Sequence, residues 1–490
     1  MTTKLRRQDG FNQKVAVSVV FVCAMFMNII DITIVNVALP SLGRDLHATG
    51  TSVSAVSVAY LVALAVVIPA SGWLGDRFGY KRILLTAIVI FTIASALCGL
   101  ATDMTQLVIF RVIQGIGGGM LTPVGMAMLF RTFPPEERVR ASSILTVPTT
   151  LAPALGPVLG GVLVTGLSWR WVFLVNLPIG IAALIFGLIF LRESESDAVG
   201  RFDLLGFLLS GFGFAALMYG VSEGSSSGWT KPLILASLAI GVVLIAALGY
   251  QQLHTREPLL NLRLFSNKLF RSVNAVFFLT TGAFLGTLYV VALFFQDGLG
   301  LSALASGLST FPEAFGVMIG AQVVSRYLYP VFGPRRIMVG GLVALGVTML
   351  LMTTISSRAE LWQMRALMFV LGFCMAHVMI PSQAASMAQI DRANTGRAST
   401  LFNAVRQIGS ATGVAVLSTV IAAVGFGAAA SKPGSGTLQP YHVAFAVAAG
   451  FAFVGALFAL TINDADADAT RVPRRTRQSA PAQEPAHLPA

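Results

Sequence analysis

The run Gly72-Trp73-Leu74-Gly75-Asp76-Arg77-Phe78-Gly79-Tyr80-Lys81-Arg82 sets three basic residues, one acid and three glycines between two apolar stretches, 52–73 and 83–101. A charged, glycine-rich turn in that setting reads as a tight connection between two helices that are otherwise apolar throughout. Its second half recurs as Phe332-Gly333-Pro334-Arg335-Arg336, 254 residues later. Arg111 with Gly118 recurs as Arg365 with Gly372 at the same offset. Arg140-Ala141-Ser142-Ser143 and Gly156 return as Arg397-Ala398-Ser399-Thr400 and Gly413, 257 residues on. Common order and spacing mark an internal duplication, and parallel duplicated halves suit a transporter that rocks about a central site.

Composition says where such a chain lives. Of 490 residues 55% are hydrophobic and 11% charged, whereas soluble domains carry about a quarter charged residues. The chain therefore reads as an all-α, polytopic membrane protein. Apolar runs long enough to span a bilayer fall at 15–39, 52–73, 83–101, 105–130, 141–165, 171–191, 203–221, 232–250, 271–295, 303–325, 337–356, 361–381, 398–425 and 441–462. That is fourteen spans: a six-helix bundle over 15–191, a two-helix insertion with its linkers over 192–270, and a second six-helix bundle over 271–462. Tails 1–14 and 463–490 flank them, the latter acidic, then basic, then Pro/Ala-rich, and expected to be disordered. The stretches Glu223–Gly228 and Gly425–Pro440 read as flexible outer loops.

With both termini cytoplasmic, only Arg44, Arg170, Lys231, Arg358 and Lys432 of the 33 Lys and Arg fall on outer loops, and Arg111, Arg365 and Arg406 fall within spans. The rest lie inside, as the positive-inside rule requires of a multi-pass protein of the plasma (inner) membrane. The net charge of +12 thus belongs to topology and membrane lipid, not to nucleic acid. The first run is too long for a signal-peptide core. Cys23, Cys98 and Cys374 sit singly, without disulfide or zinc spacing. No phosphate-binding glycine loop, metal-spaced His/Cys set or nucleophile triad suggests an enzyme or a cofactor.

The loop Gly72–Arg82 resembles the signature loop of the major facilitator superfamily. Further runs resemble its fourteen-span drug:proton antiporter branch, the EmrB/QacA-like multidrug efflux transporters. They are Asp31-Ile32-Thr33-Ile34-Val35-Asn36-Val37-Ala38-Leu39-Pro40, Arg111-Val112-Ile113-Gln114-Gly115, Gly156-Pro157 through Gly160-Gly161, Trp169–Gly180 and Arg406-Gln407-Ile408-Gly409. The resemblance implies a major facilitator fold and proton-coupled export of amphipathic or cationic compounds. It also implies a part for Arg111 in proton coupling, and it associates Pro153, Gly156, Pro157, Gly160 and Gly161 with antiport. Two departures stand out: Ala152 replaces the glycine that usually opens the fifth-span motif, and Pro330 replaces an acid matching Asp76, which suggests an asymmetric latch.

In-span charges carry the chemistry, because each costs at least about 2.5 kcal/mol at mid-bilayer unless it faces a partner or a cavity. Asp31, one turn after Asn28, and Glu313, beside Pro312, are the candidate proton-exchanging acids, with small-molecule cargo and protons as partners. Asn28, Gln114, Tyr289, Asn403, Arg406 and Gln407 are candidate cavity liners. Gly72, Asp76, Arg77, Gly79 and Arg82 form a candidate latch in which Asp76 pairs with a loop arginine or meets a helix N-terminus. His377 is a candidate proton relay, though a lone histidine in a span is more often simply hydrogen-bonded. Arg365 is expected to snorkel toward the outer surface. The same fold could export an endogenous metabolite, antibiotic or lipid. A membrane sensor would need an output domain longer than any segment outside the spans.

Overall fold

The structure, a computed structural model, describes residues 12–48, 50–193, 200–227, 231–391, 394–431 and 438–470. Among these, every regular element is helical. The first half comprises α1 (Gln13–Asp45), α2 (Gly50–Phe78), α3 (Tyr80–Leu100), α4 (Met104–Thr132), α5 (Arg138–Gly166), α6 (Trp171–Leu174) and α7 (Asn176–Phe190). Helices α8 (Leu204–Ser227) and α9 (Pro232–His254) follow. The remainder is α10 (Lys268–Leu293), α11 (Ala303–Thr310), α12 (Pro312–Val323), α13 (Tyr329–Met352), α14 (Leu361–Ser386), α15 (Thr395–Ser431) and α16 (Gln439–Ala459). Asp103, Asn267 and Ser302 cap α4, α10 and α11 by accepting backbone N–H groups of the first turn.

Eleven helical stretches among the described residues are long and apolar enough to cross a membrane. One of them, Ala305–Met352, has 48 residues and would reach about 72 Å if straight, more than twice a bilayer core. It breaks at Gly333, whose φ of 73° lies in the left-handed region. Gly79, its counterpart in the duplication, has φ 93°. Both loops therefore need glycine at the matching place, since a side chain there would clash with the backbone.

Several boundaries differ from the sequence reading. The sixth apolar run divides into α6 and α7, and the tenth breaks at Phe311, just before Pro312, which can donate no helix hydrogen bond. Helix α8 continues to Ser227 and α15 to Ser431, across segments expected to be loops. Small residues dominate both extensions, and nothing in them stops a helix. Residues 228–230 and 432–437 lie outside the described residues. The tail is not disordered throughout either: Asp464–Thr470 forms a 3-10 helix, and Ala467 and Thr470 are buried. Residues 471–490 lie outside the described residues.

One large apolar core is built almost wholly by the second half, another joins the first half to residues of α10 and α15 such as Phe277 and Phe402, and a smaller first-half core gathers around Ile34 and Trp169. Within each half, glycines bring helix backbones into contact. Gly115 and Gly119 of α4 press on Tyr60 O and Leu64 O of α2, where an added Cβ would lie 2.6 Å from each carbonyl. In the second half Gly316 and Gly320 of α12 press on α14, and Gly282 and Gly286 of α10 meet Gly409 and Gly413 of α15. Small-residue contacts of this kind suit helices that gain little by hiding apolar surface from lipid.

Helices α8 and α9 pack on each other at the periphery, and of α9 only Ile234, Gly241, Leu248 and Gln252 are buried. Helix α8 touches both α2 and α15, so it bridges the halves. Its lead-in segment is tied to the signature loop, with Trp73 Nε1 donating to Gly200 O at 3.2 Å and the Trp73 ring 4.9 Å from Phe202.

Candidate functional site

Five helices of the first half bring their polar side chains to one sealed point. Asp31 (α1) is fully buried and Arg111 (α4) is 1% exposed. Arg111 Nη1 donates to Asp31 Oδ2 at 2.5 Å and to Gln114 Oε1 at 2.7 Å, and Nε donates to Val56 O at 3.1 Å. The other carboxylate oxygen accepts from Gln114 Nε2 at 2.8 Å and Asn176 Nδ2 at 3.2 Å. Both amides also reach Ser95 Oγ, which in turn donates to Phe173 O. The Arg111 guanidinium lies 4.2 Å from the Tyr60 ring centre. Tyr60 Oη donates to Asn28 Oδ1 at 2.6 Å, and Asn28 Nδ2 donates to Gly118 O at 2.9 Å.

The structure brings Asp31, Arg111, Gln114 and Asn28 together, a meeting the sequence reading did not foresee, and Asn28 and Gln114 are bonded within the first half rather than lining a cavity. Their amides are consumed inside the first half, because a buried carboxylate and guanidinium need every available donor and acceptor. Ser95, Asn176 and Tyr60 were not anticipated. Asn176 carried a signal, a lone amide in the apolar run Trp171–Phe190, whereas a serine or tyrosine in a span is too ordinary to single out.

The second half treats its in-span charges differently. Glu313, in the first turn of α12, is 6% exposed and makes no hydrogen bond or ion pair with any described residue. Arg406, Gln407 and Tyr289 are partly exposed and likewise have none. Asn403 is buried where the halves touch, bonding Ser399 O and approaching Met126 Sδ of α4 at 3.4 Å, so it too is consumed by packing. His377 contacts Phe373 O at 2.8 Å and its ring, the ordinary fate of a histidine in a span. Arg365 donates to Ser309 and covers Trp362.

A second constellation closes the face that carries most of the basic residues. Asp76 is 2% exposed and accepts from Tyr80 Oη at 2.7 Å and Arg131 Nη2 at 2.8 Å, while the Arg131 guanidinium stacks 4.5 Å from the Tyr80 ring centre. The first turn of α15 abuts this group: a Cβ at Gly396 would lie 3.2 Å from Asp76 Oδ1. Gly72 backs onto Gly396 O and Thr400, and Ser71 Oγ is 3.5 Å from Thr400 Oγ1. Arg138 donates to Met387 O across the same junction. Asp76 therefore meets a helix N-terminus, but its arginine is Arg131 from the end of α4. Arg77 and Arg82 are exposed instead, because both fall on the outward side of the loop. A cavity of about 350 Å³ lined by Phe133, Pro134, Arg138 and Thr395 lies at this face, remote from the in-span charges.

Each loop also receives a carboxylate from beyond the last helix of its own half, and no acid takes the place of Asp76 at Pro330. Glu193, beyond α7, accepts from the backbone N–H of Lys81 at 3.0 Å and of Arg82 at 3.2 Å, beside Gly79. Asp464, beyond α16, accepts from Arg335 N at 2.8 Å, beside Gly333. Tyr329 Oη and Thr470 Oγ1, 2.7 Å apart, hold the end of that 3-10 turn.

Of the fifth-span glycines, Gly156 and Gly160 press on Thr33, Ile34 and Val37 of α1, whereas Gly161 has nothing within 4 Å. The side chains of Pro153 and Pro157 lie outside the described residues.

Comparison with known proteins agrees with this architecture. The chain matches the Major Facilitator Superfamily over residues 21–414 and 314–488. It is 31% identical over 414 residues to the "Uncharacterized MFS-type transporter YhcA" of Bacillus subtilis (strain 168), covering 84% of this chain and 78% of that one. It is 32% identical over 406 residues to the "Multidrug resistance protein B homolog" of Mycobacterium tuberculosis (strain ATCC 25618 / H37Rv), covering 82% and 75%. Among solved structures the proton:xylose symporter XylE superposes with a TM-score of 0.64 at 14% identity, over 91% of this chain and 96% of that one, which speaks to fold alone. With its apolar helices, duplicated loops and buried in-span charges, the chain belongs to the Major Facilitator Superfamily and is a multi-pass membrane secondary transporter, not an enzyme.

Proposed function

We propose that this transporter exports amphipathic small molecules across the plasma membrane by proton-coupled antiport, as a fourteen-span member of the drug-exporting branch with both termini cytoplasmic. Its functional units are the two six-span halves, 15–191 and 271–462, with 192–270 inserted between them. The relative named for multidrug resistance supports the cargo class. The observation that carries coupling is the sealed Asp31–Arg111 pair. A proton arriving on Asp31 would leave Arg111 as an uncompensated buried cation, and breaking a buried pair in that way costs about 3–5 kcal/mol. The helices that hold Arg111 must then rearrange, so proton binding is tied to movement of α1 against α4. A proton crossing about 100 mV supplies about 2.3 kcal/mol, and each unit of pH gradient about 1.4 kcal/mol more, enough to meet that cost.

Glu313, buried and unbonded among the described residues, is the second proton site. Asp76, Tyr80, Arg131 and the first turn of α15 latch the cytoplasmic side while cargo leaves on the other. In the cycle, an inward-open cavity takes up cargo while the acids are ionised. After the halves rock outward, protonation promotes release, and the protonated form returns.

The test is efflux from proteoliposomes. An imposed pH gradient should drive a panel of amphipathic dyes, and Asp76→Asn should slow turnover about tenfold per folded molecule. Melting is recorded alongside, because the change also removes a partner of the buried Arg131 side chain. Equal dye movement with and without the gradient would reject antiport, and wild-type turnover of Asp76→Asn would reject the latch.

A further inference from the structure

Arg406 stands eleven residues beyond Thr395 at the start of α15, about 16 Å along the helix and so near mid-membrane. A cation at that depth is expected to face a partner or a water-filled space. No protein partner exists among the described residues: Arg406 makes neither a hydrogen bond nor an ion pair. The acid of the second half, Glu313, belongs to α12, which packs chiefly on α14 and α5.

Helix geometry says where Arg406 points. Asn403 faces α4 of the first half, approaching Met126 Sδ at 3.4 Å. Gly409 faces α10 of the second half, where an added Cβ would be 2.5 Å from Phe278 O. At about 100° per residue, Arg406 lies about 60° from each of these positions and bisects them. Its guanidinium is therefore directed between α4 of the first half and α10 of the second, and it remains partly exposed there despite its depth. Arg111, by contrast, is fully committed to Asp31, Gln114 and Val56.

We infer that Arg406 is an anion-binding subsite, and that the preferred cargo carries an acidic group, a carboxylate or similar oxyanion, on an apolar body. A guanidinium matches such a group with two parallel N–H donors, a geometry that an amine or quaternary ammonium cargo cannot use. This rests on the export reading above and narrows its cargo from amphipathic or cationic compounds to acidic amphiphiles.

The experiment uses one fluorescent scaffold prepared as a carboxylate, an uncharged amide and a quaternary ammonium. Binding to the purified full-length protein and pH-driven transport in proteoliposomes are both measured. Wild type should bind and move the carboxylate best. Arg406→Gln should lower the carboxylate-to-amide ratio tenfold or more in both assays, and Arg406→Lys should restore part of it. Arg365→Gln, at an arginine occupied by Ser309, should keep the wild-type ratio. An ammonium preference in wild type, or a ratio unchanged by Arg406→Gln, overturns the subsite. Because binding needs no proton gradient, Arg406-dependent binding without pH-driven transport would uphold the subsite and discard antiport instead.

Discussion

In the first half Asp31 and Arg111 close on each other at 2.5 Å, with Gln114, Asn176 and Ser95 filling the remaining donor and acceptor positions. In the second half Glu313 and Arg406 sit on different helices, each without a bonded neighbour among the described residues. Both pairs bear one acid and one base inside apolar helices, and the halves share a duplicated plan. A satisfied buried pair stores energy that a single proton can release, whereas unpaired groups leave room for a ligand or a proton to be the missing partner. On the proposed function, the first half would act as the switch and the second would serve cargo and proton exchange.

The largest expected effect breaks the switch. Asp31→Asn orphans Arg111 and should destabilise the fold by about 3–5 kcal/mol, seen as a lowered melting temperature in detergent together with loss of pH-driven transport. Pairing it with Arg111→Gln should return most of the stability and none of the coupling. A double variant as unstable as the single one would show that the pair does not act as a unit.

Next come the helix contacts. Gly413→Val drives a side chain into the Gly282 backbone and should cost about 1–3 kcal/mol, whereas Gly161→Val, with nothing within 4 Å, should leave melting unchanged. Equal effects would mean that α10 and α15 are not in such close contact.

The loops are a finer contrast. Asp464→Ala and Glu193→Ala each remove an acceptor from backbone N–H groups at matching loops and should cost about 1 kcal/mol apiece, with melting as the readout. If only Glu193→Ala has an effect, Asp464 does not do for the second loop what Glu193 does for the first. The smallest change in stability belongs to Glu313→Gln, which orphans no partner and removes a buried ionisable group. Melting should hold or rise slightly while the pH dependence of transport shifts, and marked destabilisation would reveal a partner that the structure does not show.

Much of this was legible in the chain. Apolar runs and the Gly72–Arg82 loop with its echo pointed to the helical, duplicated architecture, because helix length and a glycine at positive φ are local demands. Asp31 and Arg111 stood out because charges in spans are costly. What could not be read were pairings set by distant packing. Arg131, not Arg77 or Arg82, meets Asp76 because the end of α4 is brought beside the loop by tertiary contacts alone. Asp464 serves the second loop from a tail whose composition suggested disorder, since one carboxylate at one backbone N–H leaves no periodic trace. Asn28 and Gln114 looked like cavity liners because an amide in a span is equally suited to a ligand or to a neighbouring ion pair.

The central claim, that a proton on Asp31 is traded against cargo, is tested most directly by recording both fluxes at once. Proteoliposomes containing a pH-sensitive dye, without any imposed gradient, are given a cargo gradient. Wild type should move protons opposite to cargo, and Asp31→Asn should move none. Cargo movement in wild type without proton movement, or an unchanged proton signal in Asp31→Asn, would contradict the account.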